Sequence, residues 1–257
     1  MTILRTRIIP ALLLRNQSLV KTVRFSQFTY VGDPCNTVRI FNELEVDELL
    51  FLDITATRDG RTPNLKVLAD IANECFMPLG YGGGISSLDH AKSVFDIGFE
   101  KVAINSCALE NPVLISTIAQ QYGSQALIVS IDVKTSFWGK QTVRSIGGRR
   151  NGRHGYDPVT WAKEVEQRGA GEILLTSIDR EGTWAGFDLE LVKCVTDAVS
   201  IPVVAHGGAG SVEHIGQVVK LAHASAVALG SMVVFQKKGM GVLVSFPDSR
   251  NLEEVLA

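Results

Sequence analysis

The feature that most constrains this chain is a strict alternation of short apolar, β-branched runs with amphipathic stretches, repeated eight times. The runs occupy residues 7–14, 48–53, 77–82, 101–105, 126–132, 172–177, 202–206 and 226–230. Between their ends they carry no charge, which is the pattern of parallel strands covered on both faces. Helical patterns lie between them, for example at 64–75, 88–97 and 157–168, and Gly98, Gly169 and Gly171 stop a helix before the next run. Eight such units leave two architectures, a closed barrel or a doubly wound open sheet.

An internal repeat separates the two. The string PLGYGGGIS at 78–86 lies over PVVAHGGAG at 202–210. Thr57-Arg58-Asp59-Gly60 resembles Asp179-Arg180-Glu181-Gly182, and Ala103-Ile104-Asn105-Ser106 matches Ala228-Leu229-Gly230-Ser231. A period of about 120 residues, half the chain, implies two four-stranded halves closing into one ring. The expected fold is a single (β/α)8 TIM barrel of the phosphate-binding kind. It should span 1–257 as one domain, with its site at the C-terminal ends of the strands.

Charge and cysteine usage exclude several function classes. A net charge of −2, from 25 basic and 27 acidic residues, argues against nucleic acid or an anionic membrane as main partner. The basic cluster Arg149, Arg150 and Arg153 reads as a loop tip rather than an anion contact. The apolar run Leu12-Leu13-Leu14 is too short for a signal peptide or a membrane span. Cys35, Cys75, Cys107 and Cys194 have neither disulfide-framework nor metal-ligand spacing, so buried or half-buried free thiols in a reducing cytoplasm are expected. The five histidines are unpaired in spacing; no metal and no cofactor are expected.

Glycine turns carry the binding chemistry. A phosphate held by backbone N–H groups needs glycine, because a Cβ blocks its approach to the main chain. Gly82-Gly83-Gly84 and Gly207-Gly208 each follow a strand and lead into a helix, while Asn105-Ser106 and Gly230-Ser231 follow the next strand of each half. Tight turns alone account for any single glycine. Duplication of the whole set at strand ends points instead to an anion site in each half, and so to a ligand phosphorylated at both ends.

With those residues in place, the chain resembles the cyclase subunit of imidazole glycerol phosphate synthase, HisF, over residues 5–235. The matching strings include Arg7-Ile8-Ile9-Pro10, the segment 47–56, Gly82-Gly83-Gly84-Ile85, Ile104-Asn105-Ser106, 130–134, 169–183 and Gly207-Gly208-Ala209-Gly210. The resemblance implies that a separate HisH-like glutaminase releases ammonia at the barrel floor, and that the gas travels the axis to a doubly phosphorylated ribulosyl substrate. It implies an ammonia gate of Arg7, Glu48, Lys101 and Glu172. Strand parity supports three of these, since Lys101 and Glu172 each lie four residues before Asn105 and Thr176, and Arg7 six before Leu13. Lys21, Gly84, Asn105, Ser106, Glu181, Gly182, Thr183, Gly208, Gly230 and Ser231 are implied to hold substrate and phosphate, and Phe25 matches the active-site loop.

Three departures qualify that picture. The family uses an acid–base pair of aspartates at the ends of strands 1 and 5; Asp132 is kept, but Leu13 stands at the strand 1 position. A leucine exchanges no proton, and its apolar bulk is expected to raise the pKa of Asp132. His206 replaces a usual serine, and is expected to pack or to contact an anion. The tail from Phe235 to Pro247 lacks the last-helix pattern and reads as a loop followed by a strand-like run. Leu13, the segment 19–25 and the tail resemble a diverged branch associated with sugar amidation in surface-polysaccharide synthesis, in which a sugar amidotransferase consumes the ammonia. The alternatives are a working cyclase of histidine biosynthesis and a barrel that only regulates a glutaminase.

Overall fold

The computed structural model describes residues 6–145 and 155–257, so the cluster Arg149, Arg150 and Arg153 lies outside the described residues. In chain order the strands are β1 (Arg7–Arg15), β2 (Ser18–Val23), β3 (Ser26–Gly32), β4 (Leu49–Asp53), β5 (Leu79–Gly82), β6 (Lys101–Ile104), β7 (Leu127–Thr135), β8 (Gln141–Arg144), β9 (Glu172–Ser177), β10 (Val203–His206) and β11 (Ala226–Leu229). Strands β1, β4, β5, β6, β7, β9, β10 and β11 pair in that order, all in parallel. Strand β11 then pairs back onto β1, Ile9 opposite Ala228, and closes the ring. The eight expected strands all form, each starting within two residues of its sequence-derived position.

Side chains alternate across the ring wall as the pleat requires. Ile8, Leu12, Phe51, Val102, Val129 and Leu175 point outward into the shell between strands and helices. Ile9, Ala11, Leu50, Ala103, Ile128, Leu174, Val204, Ala226 and Ala228 point inward and fill the barrel axis. Complete burial of each leucine or isoleucine contributes about 1.5–3 kcal/mol, so both faces of every strand favour closure.

The helices of the outer layer are α1 (Pro34–Glu43), α2 (Leu65–Glu74), α3 (Leu88–Ile97), α4 (Ser106–Glu110), α5 (Val113–Tyr122), α6 (Pro158–Gln167), α7 (Leu189–Thr196), α8 (Val212–Ala222) and α9 (Ser249–Leu256). Their ends follow local chemistry. Asp33, Asn64, Ser87, Asp157 and Asp188 cap the starts of α1, α2, α3, α6 and α7 by accepting a backbone N–H. Gly98 ends α3 in the left-handed region at φ 112°. Among the described residues no helix is long and apolar enough to cross a membrane.

Three expectations need correction. The segment after the first strand is not a plain loop, because β1, β2 and β3 form an antiparallel meander, and β7 and β8 form a second hairpin. The tail forms no strand, only a single bridge between Phe235 and Val242. It ends in α9, which Asp248 caps and whose Leu252 is buried. This helix packs on α8, where Gly216 leaves just enough room that an added Cβ would sit 2.8 Å from the Val255 carbonyl. Finally, Cys35, Cys75 and Cys107 are half-buried, but Cys194 is exposed on the outer layer.

Candidate functional site

Parallel strands place all their C-terminal ends on one face, and the pocket opens there. Its floor and walls come from inward positions at the tips of successive strands: Leu13 on β1, Leu52 on β4, Gly82 on β5, Asn105 after β6, Ser130 and Asp132 on β7, Thr176 on β9 and His206 on β10. Phe25 and Phe28 overhang it from the β2–β3 hairpin, and Thr57 and Arg58 from the loop after β4. Leu13 is 6 % exposed and lines the pocket. Leu13 and Asp132 both line this one pocket.

The polar side of the pocket is one connected network. Asn105 Nδ2 donates to Asp132 Oδ2 at 2.6 Å, and Ser130 Oγ lies 3.5 Å from the other carboxylate oxygen. Asp132, Thr176 and His206 occupy facing register positions on the neighbouring strands β7, β9 and β10. The Thr176 hydroxyl sits 3.1 Å from His206 Nδ1. Burial pushes the Asp132 carboxyl up to about 6, against hydrogen bonds from Thr176, Asn105 and Ser130 that favour the ionised form. Burial, with the charge of Lys21, drives His206 down to about 3, so its ring is neutral at physiological pH. The Asn105 Oδ1 atom is buried and has no hydrogen-bond partner, leaving an acceptor for a donor group on a ligand.

Of the residues expected to hold substrate and phosphate, Gly84, Asn105, Ser106 and Glu181 line the pocket, whereas Lys21, Gly182, Thr183, Gly208, Gly230 and Ser231 do not. Gly84, Asn105 and Ser106 are in its wall. Gly83 and Gly84 have φ of 131° and 68°, and a Cβ on them would lie 2.6 Å from the Asp53 carbonyl and 2.5 Å from that of Arg61. Glycine is therefore demanded by packing as well as by backbone conformation. Helix α4 starts at Ser106 with no side-chain cap, and the 3-10 turn at Ser231–Val233 likewise starts uncapped after Gly230. The first N–H groups of such turns lack acceptors within them. The Gly84 N–H itself is taken by Thr57 Oγ1 at 3.2 Å.

In the second half the β2–β3 hairpin lies over the turns. Glu181 accepts from Thr22 Oγ1 at 3.0 Å and from the Phe25 N–H at 3.1 Å, and the Arg24 N–H bonds the Glu181 carbonyl. Glu181 thus anchors the hairpin while lining the pocket. A Cβ on Gly182 would sit 2.4 Å from the Thr22 carbonyl, and one on Gly208 2.2 Å from that of Gly186. Thr183 Oγ1 donates to the Arg180 carbonyl at 2.6 Å. Lys21 is 3 % exposed, and its ammonium donates to the Ala11 carbonyl. Burial lowers its pKa to about 8, with Glu181 opposing. A Cβ on Gly230 would lie 3.1 Å from Lys21 Nζ and 3.8 Å from His206 Nε2, so both groups use the space that glycine leaves.

At the opposite end of the axis the four expected floor residues meet. Arg7 bonds Glu48 at 2.6 Å and also Glu172, while Lys101 bonds Glu48 at 3.0 Å and Glu172 at 3.2 Å. Each cation holds both anions and each anion both cations, giving a closed ring of zero net charge. Glu48, for which parity gave no check, sits in it one residue before β4. The apolar inward layer, from Ile9 to Ala228, separates this ring from the pocket.

Residues to which sequence reasoning gave no functional role include Thr176, which served only as a parity reference, and Ser130 in the network, and Leu52 and Phe28 in the wall. The signal for Thr176 was available, since it shares the inward parity of Glu172.

A closed parallel barrel with a pocket at its C-terminal mouth and an ion ring across its floor defines the class of protein: a (β/α)8 barrel of the histidine-biosynthesis type. The chain belongs to the family described as "Histidine biosynthesis protein", which matches residues 7–238. It is 48 % identical over 249 residues to a Pseudomonas aeruginosa protein provisionally named imidazole glycerol phosphate synthase subunit hisF2, covering 97 % of this chain and 98 % of that one. A Leptospira borgpetersenii protein with the corresponding HisF name is 44 % identical over 252 residues, covering 97 % and 98 %. A Vibrio vulnificus protein provisionally named subunit hisF3 is 41 % identical over 254 residues, covering 98 % and 97 %.

Proposed function

We propose that this chain is the ammonia-receiving subunit of a glutamine-dependent synthase, with its own cyclase chemistry weakened, and that a separate sugar amidotransferase uses the ammonia. The observation that carries the reading is that Leu13 lines the pocket together with Asp132, so that one of the two expected proton-exchanging positions is apolar. Ring closure with C–N cleavage of the family's kind calls for two proton-exchanging groups, and loss of one costs about 10²- to 10⁴-fold in rate. The floor ring supports a partner at the N-terminal face, because four charges are gathered there, with Arg7 still part-exposed, at the end of the axis opposite the pocket. Uncapped turns at Ser106 and Ser231 support phosphate sites at Gly84, Asn105 and Ser106 and at Gly208, Gly230 and Ser231. The sugar acceptor rests on the resemblance of Leu13, the segment 19–25 and the tail to the polysaccharide branch.

The test is assembly. Mixed with the glutaminase of its own organism, the chain is expected to give a 1:1 complex on gel filtration and to raise glutamine hydrolysis. Lys101→Glu is expected to impair ammonia transfer more than binding. If no glutaminase of the organism binds, the conduit reading fails.

One observation favours a second reading, a working cyclase of histidine biosynthesis: the pocket keeps Asp132 ion-ready near neutral pH and bonded to Asn105. Ordinary turnover of the family's ribulosyl substrate with ammonium chloride, about 1 per second or more, decides for it.

A further inference from the structure

We propose that the two hairpins rising beyond the pocket mouth, β2–β3 and β7–β8, form a docking surface for a protein with an acidic face, the enzyme that consumes the ammonia leaving this barrel. The inference rests on the reading above, which calls for such an enzyme, and names the surface it occupies.

The hairpins are biased in two ways. Residues 15–32 and 133–145 contain Arg15, Lys21, Arg24, Lys134, Lys140 and Arg144 and no aspartate or glutamate, in a chain whose net charge is −2. All of these cations except Lys21 are exposed. The same segments expose aromatic side chains, Phe28 and Tyr30 on β3 and Phe137 and Trp138 at the tip of β7–β8, the last two by 95 % and 89 %. Aromatic residues and arginine are enriched in protein interfaces, and aspartate and glutamate are depleted there.

Topology puts both segments at the mouth. Strands β1 and β7 stand four places apart in the ring of eight, on opposite sides. Each runs on past the residue that lines the pocket, Leu13 in one and Asp132 in the other, and turns back as a hairpin. The pocket therefore opens between two cationic, aromatic rims.

The tip of the second hairpin is held in shape by its own bonds. The Ser136 N–H donates to the Lys140 carbonyl and the Gly139 N–H to the Ser136 carbonyl, both at 2.9 Å, and Ser136 Oγ accepts from the Lys140 N–H at 3.0 Å. Gly139 supplies the left-handed conformation the turn needs, at φ 79°. The rings of Phe137 and Trp138 meet edge to face, 5.5 Å apart. The Thr135 N–H donates to Asp179 at 2.7 Å and ties the hairpin to the loop after β9. An aromatic pair fixed before contact loses little conformational freedom on binding.

Three arguments select the occupant. Among the described residues β3 pairs only with β2, so its outer edge offers backbone groups that a protein chain can pair and lipid cannot. A second copy of this chain, set face to face, would bring cations against cations. An acidic face meets both rims at once and so covers the mouth between them. Ammonia released into neutral water is lost as ammonium, whereas a covered mouth delivers it directly.

The test uses the full chain with its glutaminase and the purified sugar amidotransferase of the same organism. In surface plasmon resonance wild type is expected to bind the amidotransferase, with an affinity that falls as salt rises. Phe137→Ala combined with Trp138→Ala is expected to weaken binding at least about thirtyfold. Lys134→Glu combined with Lys140→Glu is expected to slow association. Both variants are expected to melt like wild type and to stimulate the glutaminase equally, since that contact lies at the floor. Equal binding by wild type and the aromatic variant overturns the proposal, and so does absence of binding by wild type. Binding to vesicles of phosphatidylglycerol and phosphatidylcholine, or self-association in sedimentation, in place of the amidotransferase also overturns it, in favour of a membrane or a second copy. None of these results touches whether a glutaminase binds the floor, so the conduit reading and this surface fail separately.

Discussion

The two halves of this barrel share a backbone plan and differ in what they put at its tips. Strand β1 and strand β7 are equivalent, and each continues into an antiparallel hairpin beyond the ring. The first ends its inward row in Leu13, the second in Asp132. The first half's turns, at Gly84 and Ser106, line the open pocket, whereas in the second half Gly182 and Gly230 lie against the β2–β3 hairpin and Gly208 against Gly186 and Arg180. Duplication has kept what the fold needs, namely left-handed glycines and close strand–loop packing. Proton chemistry has been concentrated in the second half. A repeat therefore constrains shape far more tightly than it constrains reactivity.

Chemistry should give the largest effect that breaks this comparison. With saturating ammonium chloride, wild type is expected to turn over the ribulosyl substrate at least about a hundredfold more slowly than a two-aspartate enzyme. Leu13→Asp should recover part of that loss, and steady-state rates of the pair measure it. The next effect is one of stability. The folded chain holds the Asp132 proton more tightly than the unfolded one, because its pKa rises from 3.8 to about 6. Its contribution to stability is full below the unfolded value and is lost as pH rises through about 6. Asp132→Asn should accordingly gain up to roughly 3 kcal/mol relative to wild type between pH 4 and pH 8, visible in denaturant titrations at the two pH values.

Anion binding should sharpen the contrast further. Phosphate or sulfate is expected to enter the open site at Gly84, Asn105 and Ser106 before the covered one at Gly208, Gly230 and Ser231. Crystals grown across a phosphate series test this order; filling of the covered site first contradicts it. At a hundred times the dissociation constant, phosphate should add about 2.7 kcal/mol of stability. The smallest effect compares equivalent helix ends. Gly98 ends α3 and His223 ends α8, both left-handed, at φ 112° and 58°. A histidine there is strained by about 1 kcal/mol relative to glycine, so His223→Gly should stabilise the chain by that amount in thermal unfolding.

The eight ring strands were legible because burial on both faces leaves uninterrupted apolar runs, and the repeat made closure legible as well. The meander after β1 was not. Its turn at Arg24 and Phe25 holds both residues at positive φ, 54° and 58°, without the glycine or asparagine that usually marks such a turn. Tertiary bonds from both backbone N–H groups to Glu181 sustain it, and no local pattern encodes an anchor that distant. Helix α9 did have a signal, Asp248 at its cap, beyond the stretch that reads as strand. Parity supported three of the floor charges, Arg7, Lys101 and Glu172, and Glu48 came from the resemblance alone. The row through Thr176 emerged only when three strands were brought into register, which is a property of pairing rather than of any one segment.

The bonds from Thr22 and Phe25 to Glu181 also have a temporal consequence. They join residues 159 and 156 positions apart in the chain, among contacts that form late because a long loop must close first. On an emerging polypeptide the docking of the first hairpin through Glu181 therefore waits until the second half has been made. The wall of the pocket is then completed by an event more than half a chain later, so that only a fully closed molecule acquires a shaped site.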